Sequence, residues 1–289
     1  MTDQKVALVT GANTGIGRVT ARELARRGFE VFLACRDRGR TEPVLRALRA
    51  ETGGTLHWLE LELGDLASVR RCAREFLATG KPLHLLINNA GVAGQRGKTA
   101  SGFELAFGIN HVGHFLFTLL LTPRLVASAP ARIVTVASRA HKRIGGIDFD
   151  AVQSPSGLGL REYQVSKLAN VLFSAELARK LEGTGVSTYA LHPGVIKSDI
   201  WRNMPAPLRT LLRLRPMLDV EAGAQTTLYC ATAPELANES GLYYSEGARF
   251  TPSEVAQDAQ LAAELWLRSE RWTAQTFSKN ASETASLSA

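Results

Sequence analysis

The chain has 289 residues, 45% of them hydrophobic, and a formal charge of +7 at pH 7. That apolar content excludes intrinsic disorder and allows one undivided core, since α/β sheets often reach this length as a single domain. Lys and Arg are spread along the sequence, with local clusters only (between Arg22 and Arg27, and at Lys142 and Arg143) and no basic stripe with interleaved aromatics, so no nucleic-acid partner is expected. Cys35, Cys72 and Cys230 have neither metal-ligand nor disulfide spacing, which fits a reducing compartment and no bound metal. No apolar signal region precedes Lys5, and no run reaches the ~18 apolar residues of a spanning helix, so the expected location is cytoplasmic.

Residues 5–10 form a short apolar run that ends at Gly11, as a buried strand does. Helical spacing follows over 16–27 and stops at Gly28, and a second strand is expected over 30–34. The alternation continues: helix over about 40–50, strand over 55–61, helix over 67–78, strand over 83–87. A long buried helix is expected over 103–126, then a strand over 132–137, a helix over 161–181 and a strand over 186–191. Residues 193–218 read as irregular with a short helix, 220–232 as helix, and 241–244 as a seventh strand. This alternation predicts a single doubly wound α/β domain of Rossmann type over residues 1–274, with a seven-stranded parallel sheet flanked by helices. The Ser/Ala-rich end, 275–289, is expected to be a disordered tail.

The turn between the first strand and the first helix reads Thr10-Gly11-Ala12-Asn13-Thr14-Gly15-Ile16-Gly17-Arg18. Three glycines there let the backbone approach a diphosphate, and the helix start offers free N–H groups and a positive dipole. The second strand ends Ala34-Cys35-Arg36, where folds that prefer NAD usually place an acid for the ribose hydroxyls. A guanidinium at Arg36, helped by Arg18, suits a 2′-phosphate, so NADP(H) is expected in preference to NAD(H), with Asp37 nearby as the contrary signal.

Further motifs follow in order. They are Asp65-Leu66, Asn88-Asn89-Ala90-Gly91, Asn110 in the long helix, Ser138, Tyr163-x-x-x-Lys167, and Pro193-Gly194 with Val195, Ile196 and Ser198 after it. Together they resemble the short-chain dehydrogenase/reductase family, over residues 5 to about 244. The resemblance implies a catalytic set of Asn110, Ser138, Tyr163 and Lys167. It implies cofactor contacts at Gly11, Asn13, Thr14, Gly15, Ile16, Gly17, Arg18, Arg36, Asp65, Leu66, Asn89, Ala90, Gly91, Tyr163, Lys167, Pro193, Gly194, Val195, Ile196 and Ser198. Tyr163 and Lys167 are four apart and share a helical face. A free Tyr titrates near pH ~10, so a neighbouring ammonium and an oxidised nicotinamide are needed to favour its phenolate. Ser138 would hydrogen-bond the substrate oxygen, and Asn110 matches the residue that holds a relay water beyond the lysine.

Within that family, Ala34-Cys35-Arg36, the run Asn110-His111-Val112-Gly113-His114-Phe115, Ser166-Lys167-Leu168-Ala169-Asn170 and His192-Pro193-Gly194 resemble the retinol-dehydrogenase-like branch. The branch implies lipophilic alcohols, aldehydes or ketones as small-molecule substrates, retinoids among them; a carbonyl reductase of broader range fits as well. A catalytically silent NADP(H)-binding regulatory protein is the alternative. The Leu- and Arg-containing stretch 204–218 is expected to be either a substrate lid or a weak membrane-surface contact. Homo-oligomers are expected to form through the two long helices, 103–126 and 161–181.

Overall fold

The computed structural model describes residues 4–155, 159–195 and 219–280. Cofactor contacts expected at Ile196 and Ser198, and the segment 204–218, lie outside the described residues. The strands are short apolar runs because helices cover both faces of a parallel sheet. Thus β1 (Val6–Thr10) and β2 (Glu30–Cys35) are buried at every position. With β3 (Leu56–Glu60), β4 (Leu85–Asn88), β5 (Ala131–Val136), β6 (Val186–His192) and β7 (Leu242–Ser245) they form a parallel sheet in the order β3-β2-β1-β4-β5-β6-β7. An eighth strand, β8 (Ala248–Arg249), adds an antiparallel edge to the expected seven. It is two residues long and follows a turn in which Glu246 and Gly247 both take positive φ, as a tight hairpin requires.

Helices α1 (Gly15–Arg26), α2 (Arg38–Thr52) and α6 (Val220–Thr232) lie on one face of the sheet. On the other face lie α3 (Leu66–Ala78), α4 (Leu105–Ala127), α5 (Leu160–Lys180) and α7 (Ala259–Thr273). Alternate strand residues serve the two faces: Leu8 packs with Phe115 and Phe173, while Ala7 and Val9 pack with Leu24 and Leu228. The strand order reverses between β1 and β4, and there the carboxyl ends of the strands open a crevice.

Helix α4 is apolar and long enough to cross a bilayer (mean hydropathy 1.4 over its most apolar window), but 83% of that window is buried in the fold. It is also not a uniform α-helix: Gly108–Val112 widens into a π turn around Asn110.

Helix α7 was not legible in the pattern of strands and helices. Asp258 caps it by accepting from the N–H groups of Gln260 and Leu261, and its buried stripe is Ala262, Leu265, Trp266, Ser269 and Thr273. Trp266 packs against Phe115 (5.0 Å between ring centres) and Phe173 (5.9 Å). Helix α7 thus packs on both α4 and α5, the two long helices. Of the segment expected to fray, residues 275–280 are described, and within them Gln275 and Ser278 are buried and Phe277 meets Trp266 edge-on at 5.6 Å.

Candidate active site

The cleft at the β1/β4 switch encloses about 360 Å³ and runs from the glycine turn, past the end of β2, to Ser138, Tyr163 and Lys167. Thr10 ties its two sides together. Its hydroxyl accepts from the backbone N–H groups of Asn89 and Ala90 (2.9 Å each), and Asn89 Nδ2 donates to the Thr10 carbonyl (2.8 Å). A side chain at Gly17 would put a Cβ 2.5 Å from the Gly11 carbonyl oxygen, so this glycine is required by backbone contact. Gly15, at φ +55°, faces open space, with nothing within 4 Å of where a Cβ would stand.

The start of α1 is built unlike its neighbours. Asp37, Asp65, Asp219 and Asp258 each accept a backbone N–H at the start of α2, α3, α6 and α7. Thr14, at the same position of α1, makes no such bond, and the first turn of α1 carries no acid. Free N–H groups, a positive helix end and the room beside Gly15 together fit a diphosphate. Gly11, Asn13, Thr14, Gly15, Ile16 and Gly17 all line the cleft, and so do Asn89, Ala90, Gly91, Pro193, Gly194 and Val195.

Three residues expected to contact the cofactor near its adenosine end do not line the cleft. Arg18 is exposed and absent from the cleft wall. It sits one residue past Gly17, where the helix has turned its side chain outward. Asp65 and Leu66 also lie outside the wall, because Asp65 turns to cap α3 by accepting from the Ala67 N–H (2.9 Å). The residues that leave β3 into the cleft are Leu61, Glu62 and Leu63, the last two standing three positions before Asp65 and Leu66. Arg36 and Arg40 line the cleft, and the Arg36 guanidinium reaches Glu62 at 3.1 Å on a largely exposed surface. Asp37, the contrary signal, has one carboxylate oxygen engaged by the Arg40 N–H (3.0 Å).

At the other end, Ser138 leaves β5 and its hydroxyl oxygen accepts from the Ala140 N–H (3.1 Å), while a side-chain hydrogen bond links it to Tyr163. Lys167 lies one turn along α5, with its ammonium 5.7 Å from the Tyr163 ring centre and donating to the Val136 carbonyl (2.8 Å). Burial pushes the Lys167 amine down to about 7. Burial also pushes the Tyr163 phenol above its ordinary range, partly offset by the bond to Ser138. With the protein's own groups alone, Tyr163 is thus held as a phenol.

Asn110 is fully buried and stands behind the wall rather than in it. Its Oδ1 accepts from the Val92 N–H (2.8 Å), and its Nδ2 donates to the Val92 carbonyl (3.0 Å) and to Ser166 Oγ (2.9 Å). A Cβ on Gly91 would lie 3.2 Å from Asn110 Oδ1 and 3.7 Å from Lys167 Nζ, which places Asn110 beside the lysine. Its carboxamide is thus a positioning group that fixes the strand-four loop. In the π turn its carbonyl oxygen is met by His114 Nδ1 at 3.1 Å.

Several wall residues had not been singled out as contacts: Cys35, Arg40, Glu62, Leu63, Val92, Gln95 and His192 among them. His192 carried a usable signal, its place directly before Pro193-Gly194; it is nearly buried, with Nδ1 unpartnered, and burial lowers its imidazole to about 4.

A doubly wound sheet with this cleft, this glycine turn and a Ser-Tyr-Lys constellation at its mouth defines a nicotinamide-dependent oxidoreductase. The model of the short chain dehydrogenase family matches residues 5–208, and the chain belongs to that family. Within it, the chain falls in the retinol-dehydrogenase-like branch. It is 48% identical over 267 residues to mouse retinol dehydrogenase 12, covering 91% of this chain and 84% of that protein. It is 45% identical over 268 residues to mouse retinol dehydrogenase 11, with the same coverage, and 46% identical over 276 residues to bovine dehydrogenase/reductase SDR family member 13, covering 92% and 72%. Among solved structures, an uncharacterised protein from Mycobacterium paratuberculosis shares 36% identity at a TM-score of 0.77, with 95% of each chain covered. The 3-ketoacyl-(acyl-carrier-protein) reductase of Brucella melitensis, solved with NADH, shares the fold at a TM-score of 0.65 and 23% identity, covering 83% of this chain and 96% of that one.

Proposed function

We infer that this chain is an NADP(H)-dependent oxidoreductase acting on lipophilic alcohols and aldehydes or ketones. The observation that carries the cofactor preference is the pair Arg36 and Arg40 in the wall beyond β2, with Asp37 drawn into capping α2. A guanidinium there recognises a phosphate by charge-assisted hydrogen bonds, whereas a ribose diol calls for a free carboxylate. The substrate class is supported by the resemblance to retinol dehydrogenases.

When bound, the reduced nicotinamide supplies a hydride to the substrate carbon. The chain supplies the proton and the charge. Tyr163, held as a phenol by burial, is in the state that donates to a carbonyl oxygen gaining negative charge. Ser138 donates a second hydrogen bond to the same oxygen, its own oxygen already polarised by the Ala140 N–H. Lys167, when protonated, favours the phenolate left after transfer.

The test is oxidation of NADPH and NADH with a panel of aldehydes and ketones including retinal, for wild type and Tyr163→Phe. Turnover with NADPH that falls by about 10²-fold or more in the variant is expected for loss of a general acid. A protein that binds NADPH and turns over nothing on the panel would be a silent cofactor-binding regulator instead.

A further inference from the structure

Ser138 is held from its far side by a second residue. His141 is completely buried three positions along the short helical turn that Ser138 begins. Its Nδ1 lies 2.6 Å from the Ser138 carbonyl oxygen, and its Nε2 lies 3.2 Å from the backbone nitrogen of Ser253. These partners fix the tautomer. The Ser253 N–H can only donate, so Nε2 is the bare acceptor and Nδ1 carries the hydrogen it gives to Ser138. The ring packs edge-on against Tyr243 at 5.0 Å, so it has a single seat.

Neighbouring residues anchor the same turn to the same C-terminal segment. Arg139 pairs with Glu246, donates to Ser245 Oγ (3.1 Å) and covers the Phe250 ring (5.5 Å). Lys142 donates to the Thr251 carbonyl (3.1 Å) and covers Phe250 from 4.6 Å. Most of these contacts are exposed and, singly, weak. The buried contact that ends on the backbone of a reacting residue is the one through His141.

We propose that His141 is a positioning residue for Ser138, a strut that transmits the placement of the segment from Phe250 to Ser253 to the serine that faces the substrate oxygen. It touches neither substrate nor cofactor. Its effect falls on turnover, because the oxygen of Ser138 must meet the developing charge within a few tenths of an ångström.

The proposal rests on the oxidoreductase reading for its kinetic arm only. Asn can present an N–H where Nδ1 stands and Leu cannot, whereas both lose the acceptor for Ser253. His141→Leu is expected to lower kcat by about tenfold or more, with KM and the NADPH Kd nearly unchanged, and His141→Asn to restore most of it. Both variants are expected to lose similar thermal stability. Equal kcat losses in the two variants, tracking the loss in Tm, would reduce His141 to a packing residue and overturn the proposal. The second arm needs no turnover. Ser138-Arg139 is the sequence's sole Ser-Arg pair, so ¹³C-carbonyl serine with ¹⁵N-arginine labels one carbonyl by NMR. That carbonyl should shift upfield in His141→Leu and return in His141→Asn; an unmoved signal in His141→Leu refutes the strut. Should wild type fail to turn over the panel while this signal behaves as expected, it is the reaction that was misread and the strut stands.

Discussion

Replacing Gly17 by Ala tests whether the glycine turn is a close-packed cradle or merely a flexible connection. The new Cβ would stand 2.5 Å from the Gly11 carbonyl oxygen and 2.5 Å from Asn89 Nδ2, against an ordinary contact of 3.4 Å or more. One of these neighbours is backbone, so the turn itself must open by about 0.9 Å, and Asn89 must release the Thr10 carbonyl it holds at 2.8 Å. Overpacking of this kind costs about 1–3 kcal/mol. At about 2–4 °C per kcal/mol for a domain of this size, Tm should fall by about 2–12 °C. The same displacement moves the N–H groups at the start of α1, so NADPH affinity should drop by at least about tenfold, or 1.4 kcal/mol. Differential scanning fluorimetry without cofactor and quenching of protein fluorescence by NADPH measure the two effects separately. A variant with wild-type Tm and wild-type NADPH affinity would show that Gly17 is not packed against Gly11, and the geometry of the cradle would be wrong.

Arg36→Ala should weaken NADPH by about 10–100-fold, the worth of about one charge-assisted contact, while NADH changes little; equal losses for the two cofactors would remove Arg36 from the 2′-phosphate. Stability should depend on acid through buried neutral histidines. Burial holds His114 at about 4 and His111 at about 3, below their ordinary value, so the unfolded chain binds more protons between those values and about 6.5. Their contribution is complete above about pH 6.5 and is lost as pH falls toward 4 and 3, at about 1.4 kcal/mol per pH unit for each histidine. Urea unfolding between pH 7 and 5 should show this slope, and His114→Asn should reduce it; a variant with an unchanged slope would mean that His114 is charged in the folded protein.

The sequence by itself determined the order of strands and helices as far as β7, the position of the glycine turn, and Ser138, Tyr163 and Lys167. These follow from local rules: short apolar runs make buried strands, glycines mark the close backbone approach, and a spacing of four puts Tyr163 and Lys167 on one helical face. The tertiary structure decided what depends on which distant groups meet. Only the fold shows that Asp65 is occupied in capping α3, so that Glu62 and Leu63 face the cleft, and that Asn110 spends its carboxamide on Val92 and Ser166. Only the fold shows that α7 packs on α4 and α5, since an amphipathic stripe does not reveal which partner covers it. Most of these outcomes rest on contacts between residues far apart in the chain, Asn110 with Val92 and Ser166 and Phe115 with Trp266, and a local pattern carries no record of which distant group a side chain will meet.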